Sequence, residues 1–305
     1  MKRLRIACLA AASVLSVLLP SVCGFAAPVP PEVKSIVTFV FAPGPVPGLF
    51  VPQGTGFFVG IKDAQRPEVA HVYLVTAKHV LQTADRKNWL PEIVLRLNSK
   101  RGEAEIAPIR LSGSGPKKNV FTHPSDESVD IAVVPCLPNE KVFDFKWLPE
   151  EFAVSKKEFA DLGIREGSDV FFTGMFTPYL GSKRNYPIVR FGRVALISDE
   201  RIKFVDGEAD LYLVETGSFG GNSGSPVFFY LGSDRNPGNL IVGPPILKLA
   251  GIMKGSFLDG QPVVAADTAA QGIARSSMGI AAVVPAFKLW EIFAGAELSG
   301  KGKSR

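Results

Sequence analysis

From residue 33 to residue 284 the chain is a succession of short β-branched and aromatic runs broken by glycine, proline and small polar residues. The runs cover 33–41, 54–60, 72–77, 93–97, 129–134, 169–174, 188–197, 211–215, 226–230, 246–253 and 278–284, with a weaker one at 106–111. Such composition favours strands, and turn residues between them favour a sandwich or barrel. Thirty glycines and 24 prolines suit that reading better than a helical one. Helical spacing is confined to 287–294, where Leu289, Ile292 and Phe293 fall on one face, and to a charged stretch at 156–162. The chain therefore reads as all-β with a closing helix.

Residues 1–26 have the form of a secretory leader. Lys2, Arg3 and Arg5 precede an apolar stretch, Pro20 breaks it, and Gly24-Phe25-Ala26 supplies small residues for cleavage. No stable membrane span is expected once the leader is removed, and the mature chain is expected to be secreted or periplasmic. The leader carries three positive charges and no acids, so the net charge of +5 falls to +2. Lys301, Lys303 and Arg305 crowd the end, which leaves the body near neutral. Nucleic-acid binding is not expected of such a body. Cys8 and Cys23 leave with the leader, and Cys136 alone cannot form an intramolecular disulfide.

Residues 27–32 read as an extended lead-in and 33–295 as the folded unit. Within it, 33–137 form a first half, 138–167 a charged connection and 168–295 a second half, with 296–305 a basic tail. Three long insertions, 177–186, 231–244 and 257–276, are candidates for functional loops.

One hydroxyl stands out. Ser223 lies in Gly220-Gly221-Asn222-Ser223-Gly224-Ser225-Pro226. Glycines permit unusual backbone and close approach, which suits a nucleophile ringed by backbone N–H donors; a plain glycine-rich turn is the bland alternative. The three histidines, His71, His79 and His123, all precede Ser223. That order excludes an α/β-hydrolase, where the histidine follows, and leaves His, Asp, Ser. Asp130, at the head of apolar Ile131 to Val134, is a better buried partner than Asp126 among polar neighbours. A metal site from His79 and His123 is disfavoured, since no H-x-x-x-H or H-E-x-x-H spacing exists.

At these residues the chain resembles the trypsin-like (chymotrypsin-fold) serine proteases. It is most similar to bacterial, disulfide-free members such as the HtrA catalytic domain. Gly54-Thr55-Gly56-Phe57-Phe58-Val59, Val75-Thr76-Ala77-Lys78-His79-Val80, Asp130-Ile131-Ala132-Val133-Val134 and Gly221-Asn222-Ser223-Gly224-Ser225-Pro226 carry the resemblance, in family order. It spans roughly residues 33–294. The fold implied is two six-stranded antiparallel β-barrels, a C-terminal helix and a cleft between the barrels. The activity implied is that of a serine endopeptidase acting on peptide or protein, without cofactor or metal. Ser223 is the implied nucleophile, His79 the base and Asp130 its orienting partner. The N–H groups of Gly221 and Ser223 form the implied oxyanion hole. The pocket for the residue before the scissile bond is implied at Gly217, Ser218 and Phe219, with Lys254, Gly255 and Ser256 as a wall. No acid stands at its floor, so a basic residue is not expected there; a small or medium apolar one is.

Two departures matter. Asn222 replaces the aspartate that pairs with a newly cut N-terminus in digestive relatives, so activity is expected without zymogen cleavage. Ser225 replaces a second glycine. No PDZ-like segment follows Ala294, so peptide-triggered regulation of the HtrA kind is not expected. A non-catalytic binding protein on the same fold, or an esterase using the same triad, are the alternative functions; a purely structural envelope protein is the remote third.

Overall fold

A computed structural model of the chain describes residues 29–63, 65–232, 245–264, 271–295 and 298. The expected leader, most of the insertion at 231–244 and nearly all of the basic tail lie outside them. No helix among the described residues is long and apolar enough to cross a membrane.

The architecture is all-β, as the runs predict. The first half contains β1 (Val37–Pro43), β2 (Phe50–Lys62), β3 (Ala70–Thr76), β4 (Glu92–Asn98), β5 (Ala104–Arg110) and β6 (Ala132–Pro135), in the order β5-β4-β1-β2-β3-β6. A short β7 (Leu148–Pro149) runs parallel to β2. Strands β5 and β6 end this path without pairing to each other. The second half is a closed six-stranded barrel. It is built from β8 (Asp169–Gly174), β9 (Ile188–Ile197), β12 (Tyr212–Glu215), β13 (Pro226–Leu231), β14 (Ile246–Val264) and β15 (Gln271–Pro285). A two-stranded hairpin, β10 (Ile202–Phe204) and β11 (Gly207–Ala209), precedes β12.

Period-two alternation explains how the halves join. On β8, β13 and β15, Val170, Phe172, Val227, Phe229, Ala281 and Val283 share one cluster. Their neighbours Phe171, Phe228, Ala282 and Val284 face the other way, into a cluster with Phe57, Val75 and Val133 of the first half. The Phe171 and Phe228 rings stack at 5.2 Å. Each fully buried phenylalanine contributes about 1.5–3 kcal/mol, so the halves are held by a shared core.

Some elements depart from the pattern. The strand expected from residue 33 begins at Val37, because Glu32–Ser35 form one helical turn, α1. Pro31 at its start has φ −62° and is pre-set for that turn. The loop expected at 257–276 is largely a ribbon, with Leu258 opposite Ser277 and Val264 opposite Gln271. Its glycine- and alanine-rich sequence shows no side-chain period, but a backbone ladder requires none. Within the connection 138–167, α2 (Lys156–Asp161) is capped reciprocally by Ser155 and Glu158. The closing helix α3 (Ala286–Phe293) buries Leu289 and Ile292. Leu298 is also buried, so the packed chain reaches past the expected boundary at 295.

Candidate active site

His79 sits on a single 3-10 turn, Lys78–Leu81, directly after β3. Asp130 lies two residues before β6, which pairs with β3. The pairing brings the two residues together. His79 Nδ1 is 2.7 Å from Asp130 Oδ2, and the His79 backbone N–H donates to Asp130 Oδ1 at 3.0 Å. One carboxylate thus fixes both the ring and the backbone of the histidine. Asp130 is 2% exposed, as the apolar run after it requires. Burial alone would raise its carboxyl. The charge and hydrogen bond of His79, the Lys254 ammonium and the His79 backbone N–H outweigh burial and hold it well below the usual carboxylate range.

Ser223 lies on the turn between β12 and β13. Thr55 on β2 seats that turn against the first half. Its backbone N–H donates to the Ser223 carbonyl at 2.8 Å. Its hydroxyl donates to the Gly221 carbonyl at 2.7 Å and accepts the Met175 N–H at 2.9 Å. The approach is close enough to demand glycine. Gly224 has φ +84°, and a Cβ there would stand 2.1 Å from the Thr55 carbonyl oxygen. A Cβ on Gly54 would stand 2.9 Å from the Ser223 carbonyl oxygen. The glycines flanking Thr55 and Ser223 therefore belong to one contact.

The Ser223 hydroxyl donates to the Lys254 carbonyl at 3.2 Å. It makes no hydrogen bond to His79 among the described residues, so the contact that an attack requires is not made in this arrangement. The Gly221 and Ser223 N–H groups have no hydrogen-bond acceptor among the described residues. Gly221 has φ +92°, and the preceding Gly220 carbonyl accepts from the Thr177 hydroxyl at 3.4 Å. Asn222 is 1% exposed and fully engaged. Its amide donates to the Met175 carbonyl at 2.6 Å, and its Oδ1 accepts the Phe219 N–H at 2.9 Å. Ser225 packs against Gly174, where a Cβ would stand 2.0 Å from its hydroxyl oxygen. That hydroxyl is buried without a hydrogen-bond partner among the described residues.

Lys254 differs from the expected pocket wall. Its side chain is 3% exposed and turned towards Asp206 (2.7 Å) and Asp130 (3.5 Å). The two carboxylates compensate the ammonium buried there. Asp206, at the β10–β11 turn, also receives Arg86. The other pocket residues behave differently. Ser256 on β14 donates through its hydroxyl to the Ser218 carbonyl at 3.0 Å, tying the expected wall to the expected floor. Gly255 is half-buried, Ser218 is buried, and Phe219 is 54% exposed. A residue the motifs did not single out lies beneath them. The Arg190 guanidinium of β9 is 4.7 Å from the Phe219 ring centre and 6.0 Å from that of Phe176. A Cβ on Gly217 would stand 3.0 Å from its Nη1.

The remaining titratable candidates lie elsewhere. Asp126 pairs with Arg201 at 3.1 Å and accepts from Ser128. His71 is half-exposed and lies 3.0 Å from the buried Asp63. His123, expected at the surface, is 6% exposed at its side chain and 2.7 Å from Glu291 of α3. Burial pushes the Cys136 thiol up to about 12, so it is an inert thiol at neutral pH.

No protein-family model matches the chain, and no curated protein matches it in sequence. Among solved structures it is similar to the MamO protease domain from Magnetospirillum magneticum in its apo form, at 17% identity and a TM-score of 0.46, covering 85% of this chain and 96% of that one.

Proposed function

We propose that the protein is an exported serine endopeptidase. The observation that carries this reading is the seating of the Ser223 turn, through Thr55, against the strand end that presents the His79–Asp130 pair. In this reading the Ser223 hydroxyl turns from the Lys254 carbonyl to His79 Nε2 and attacks the scissile carbonyl. His79 takes the proton and returns it to the leaving amine, while Asp130 holds the ring's tautomer. The free N–H groups of Gly221 and Ser223 receive the oxyanion. Water then releases the acyl group by the same route. Asn222 needs no charged N-terminus, which supports activity without a further cut. The leader-like sequence of residues 1–26 supports export.

A second reading, a binding protein on the same fold, is favoured by the Ser223–Lys254 hydrogen bond, which leaves the hydroxyl away from its base. Fluorophosphonate labelling of the mature chain separates the two. Labelling that is lost in Ser223→Ala and His79→Ala supports the peptidase reading. A folded wild type that stays unlabelled supports the binding protein. Turnover of esters with no turnover of peptides would replace endopeptidase by esterase.

A further inference from the structure

Arg190 lies against the segment that leads to the nucleophile, and no acid pairs with it among the described residues. It pairs in register with Phe172 on β8, so its side chain projects to the same face of the barrel wall as that buried ring. Its guanidinium reaches Gly217, where a Cβ would stand 3.0 Å from Nη1. Phe219 and Phe176 flank the group with their rings. From there Gly220 and Gly221 lead directly to Ser223.

The neighbouring cations of the barrel are matched: Arg193 bonds Asp169 at 3.0 Å, and Lys254 bonds Asp206 at 2.7 Å. Arg190 forms no ion pair among the described residues, and its Nε is buried without a hydrogen-bond acceptor. A guanidinium cannot shed its proton. Aromatic faces offset part of the cost of burying its inner end, but they leave the Nε–H without an acceptor. A planar fork of donors beside the nucleophile's turn is matched by a carboxylate.

We propose that Arg190 makes the pocket beside Ser223 a site for an acidic side chain, aspartate or glutamate, of the bound peptide. The proposal rests on the reading that a peptide lies in the cleft at Ser223, and it replaces the apolar preference expected from sequence. Arg190 is a specificity residue here, with Phe219 as a movable cover. A lysine or arginine in the same pocket meets like charge.

The test measures binding, so that it does not depend on turnover. Fluorescein-labelled Ala-Ala-Pro-Glu, Ala-Ala-Pro-Gln and Ala-Ala-Pro-Lys, all with the same terminal carboxylate, are titrated against Ser223→Ala protein. Expected is about 10- to 100-fold tighter binding of the glutamate peptide than of the glutamine peptide, with the lysine peptide weakest. Arg190→Met removes that preference and Arg190→Lys restores part of it. Equal affinities for the three peptides, or no binding of the glutamate peptide, overturn the proposal without requiring the variant to fold. Fluorophosphonate labelling of the wild type, run in parallel, reports on the peptidase reading alone.

Discussion

Lys254 Nζ lies 3.5 Å from Oδ2 of Asp130, the same oxygen that receives the His79 ring at 2.7 Å. The carboxylate that orients the candidate base therefore divides its charge between an imidazole and a buried ammonium. Asp206 takes the other side of that ammonium. Replacing it by a chain of similar volume, Lys254→Met, concentrates the Asp130 charge on His79. The acid limb of kcat/KM should then move up by about one pH unit. Asp206 loses its bond to Lys254 but keeps Arg86, so stability should fall by about 1.5–3 kcal/mol. A pH–rate profile and a thermal melt of the variant check both. An unmoved acid limb would mean that Asp206 alone absorbs the Lys254 charge.

Thr55 should matter to the site more than its position away from the chemistry suggests. Its hydroxyl joins the Gly221 carbonyl to the Met175 N–H. Thr55→Val keeps the shape and strands both groups in a buried contact. Loss of about 2–4 kcal/mol is expected, together with a fluorophosphonate labelling rate at least about tenfold lower. Thr55→Ser should restore most of the rate. A Thr55→Val protein that labels like the wild type would show that the turn is held without this hydroxyl.

Much of the fold was legible because its signals are local. The β-branched runs mark the strands, and the charged stretch at 156–162 marks α2. The glycines around Thr55 and Ser223 carried the site motifs, although the contact that demands them joins residues 168 positions apart. The β10–β11 hairpin escaped notice because its three-residue strands are too short to show a period. Lys254 reads as a pocket wall by position, yet its partners lie 48 and 124 residues away. His123 reads as a surface residue until α3 brings Glu291 over it. Arg190 gives no local sign at all, being one of two arginines on β9. Charge compensation across the chain is what a linear pattern hides.

Acid should unfold the protein through its paired carboxylates. The Asp130 carboxyl would be raised by burial, but His79, Lys254 and a backbone N–H hold it low. Glu291, also opposed by burial, is lowered by His123 and Lys288. A group whose folded pKa lies below its unfolded value of about 4 stabilises fully above that value. The stabilisation is lost as pH falls through the folded value. Lys288 has the opposite sign: burial lowers it, but Asp210 raises it further. Its contribution is complete below its unfolded value of about 10.4 and fades above it. Melting temperatures of Ser223→Ala should therefore be level from about pH 6 to 9 and fall below about pH 4. Adding Asp130→Asn should lower the plateau and flatten the acid slope. A slope unchanged by Asp130→Asn would place the acid sensitivity elsewhere.

Asn222 should make the site independent of a freed N-terminus. Its amide donates to the Met175 carbonyl and its oxygen accepts the Phe219 N–H, both inside the protein. Nothing at this side chain waits for an ammonium. Mature chain beginning at Ala27 and the same chain carrying ten extra N-terminal residues should label with fluorophosphonate at equal rates. Asn222→Asp reverses the logic. The carboxylate still accepts from Phe219, but it has no proton for the Met175 carbonyl and adds a buried charge. Labelling should fall by at least about tenfold, because the turn bearing Gly221 and Ser223 loses its anchor. Labelling of the Asn222→Asp chain that returned only on exposing a new N-terminus would convert the site to a zymogen switch. Wild-type labelling that appeared only after such a cut would overturn the independence argued from Asn222.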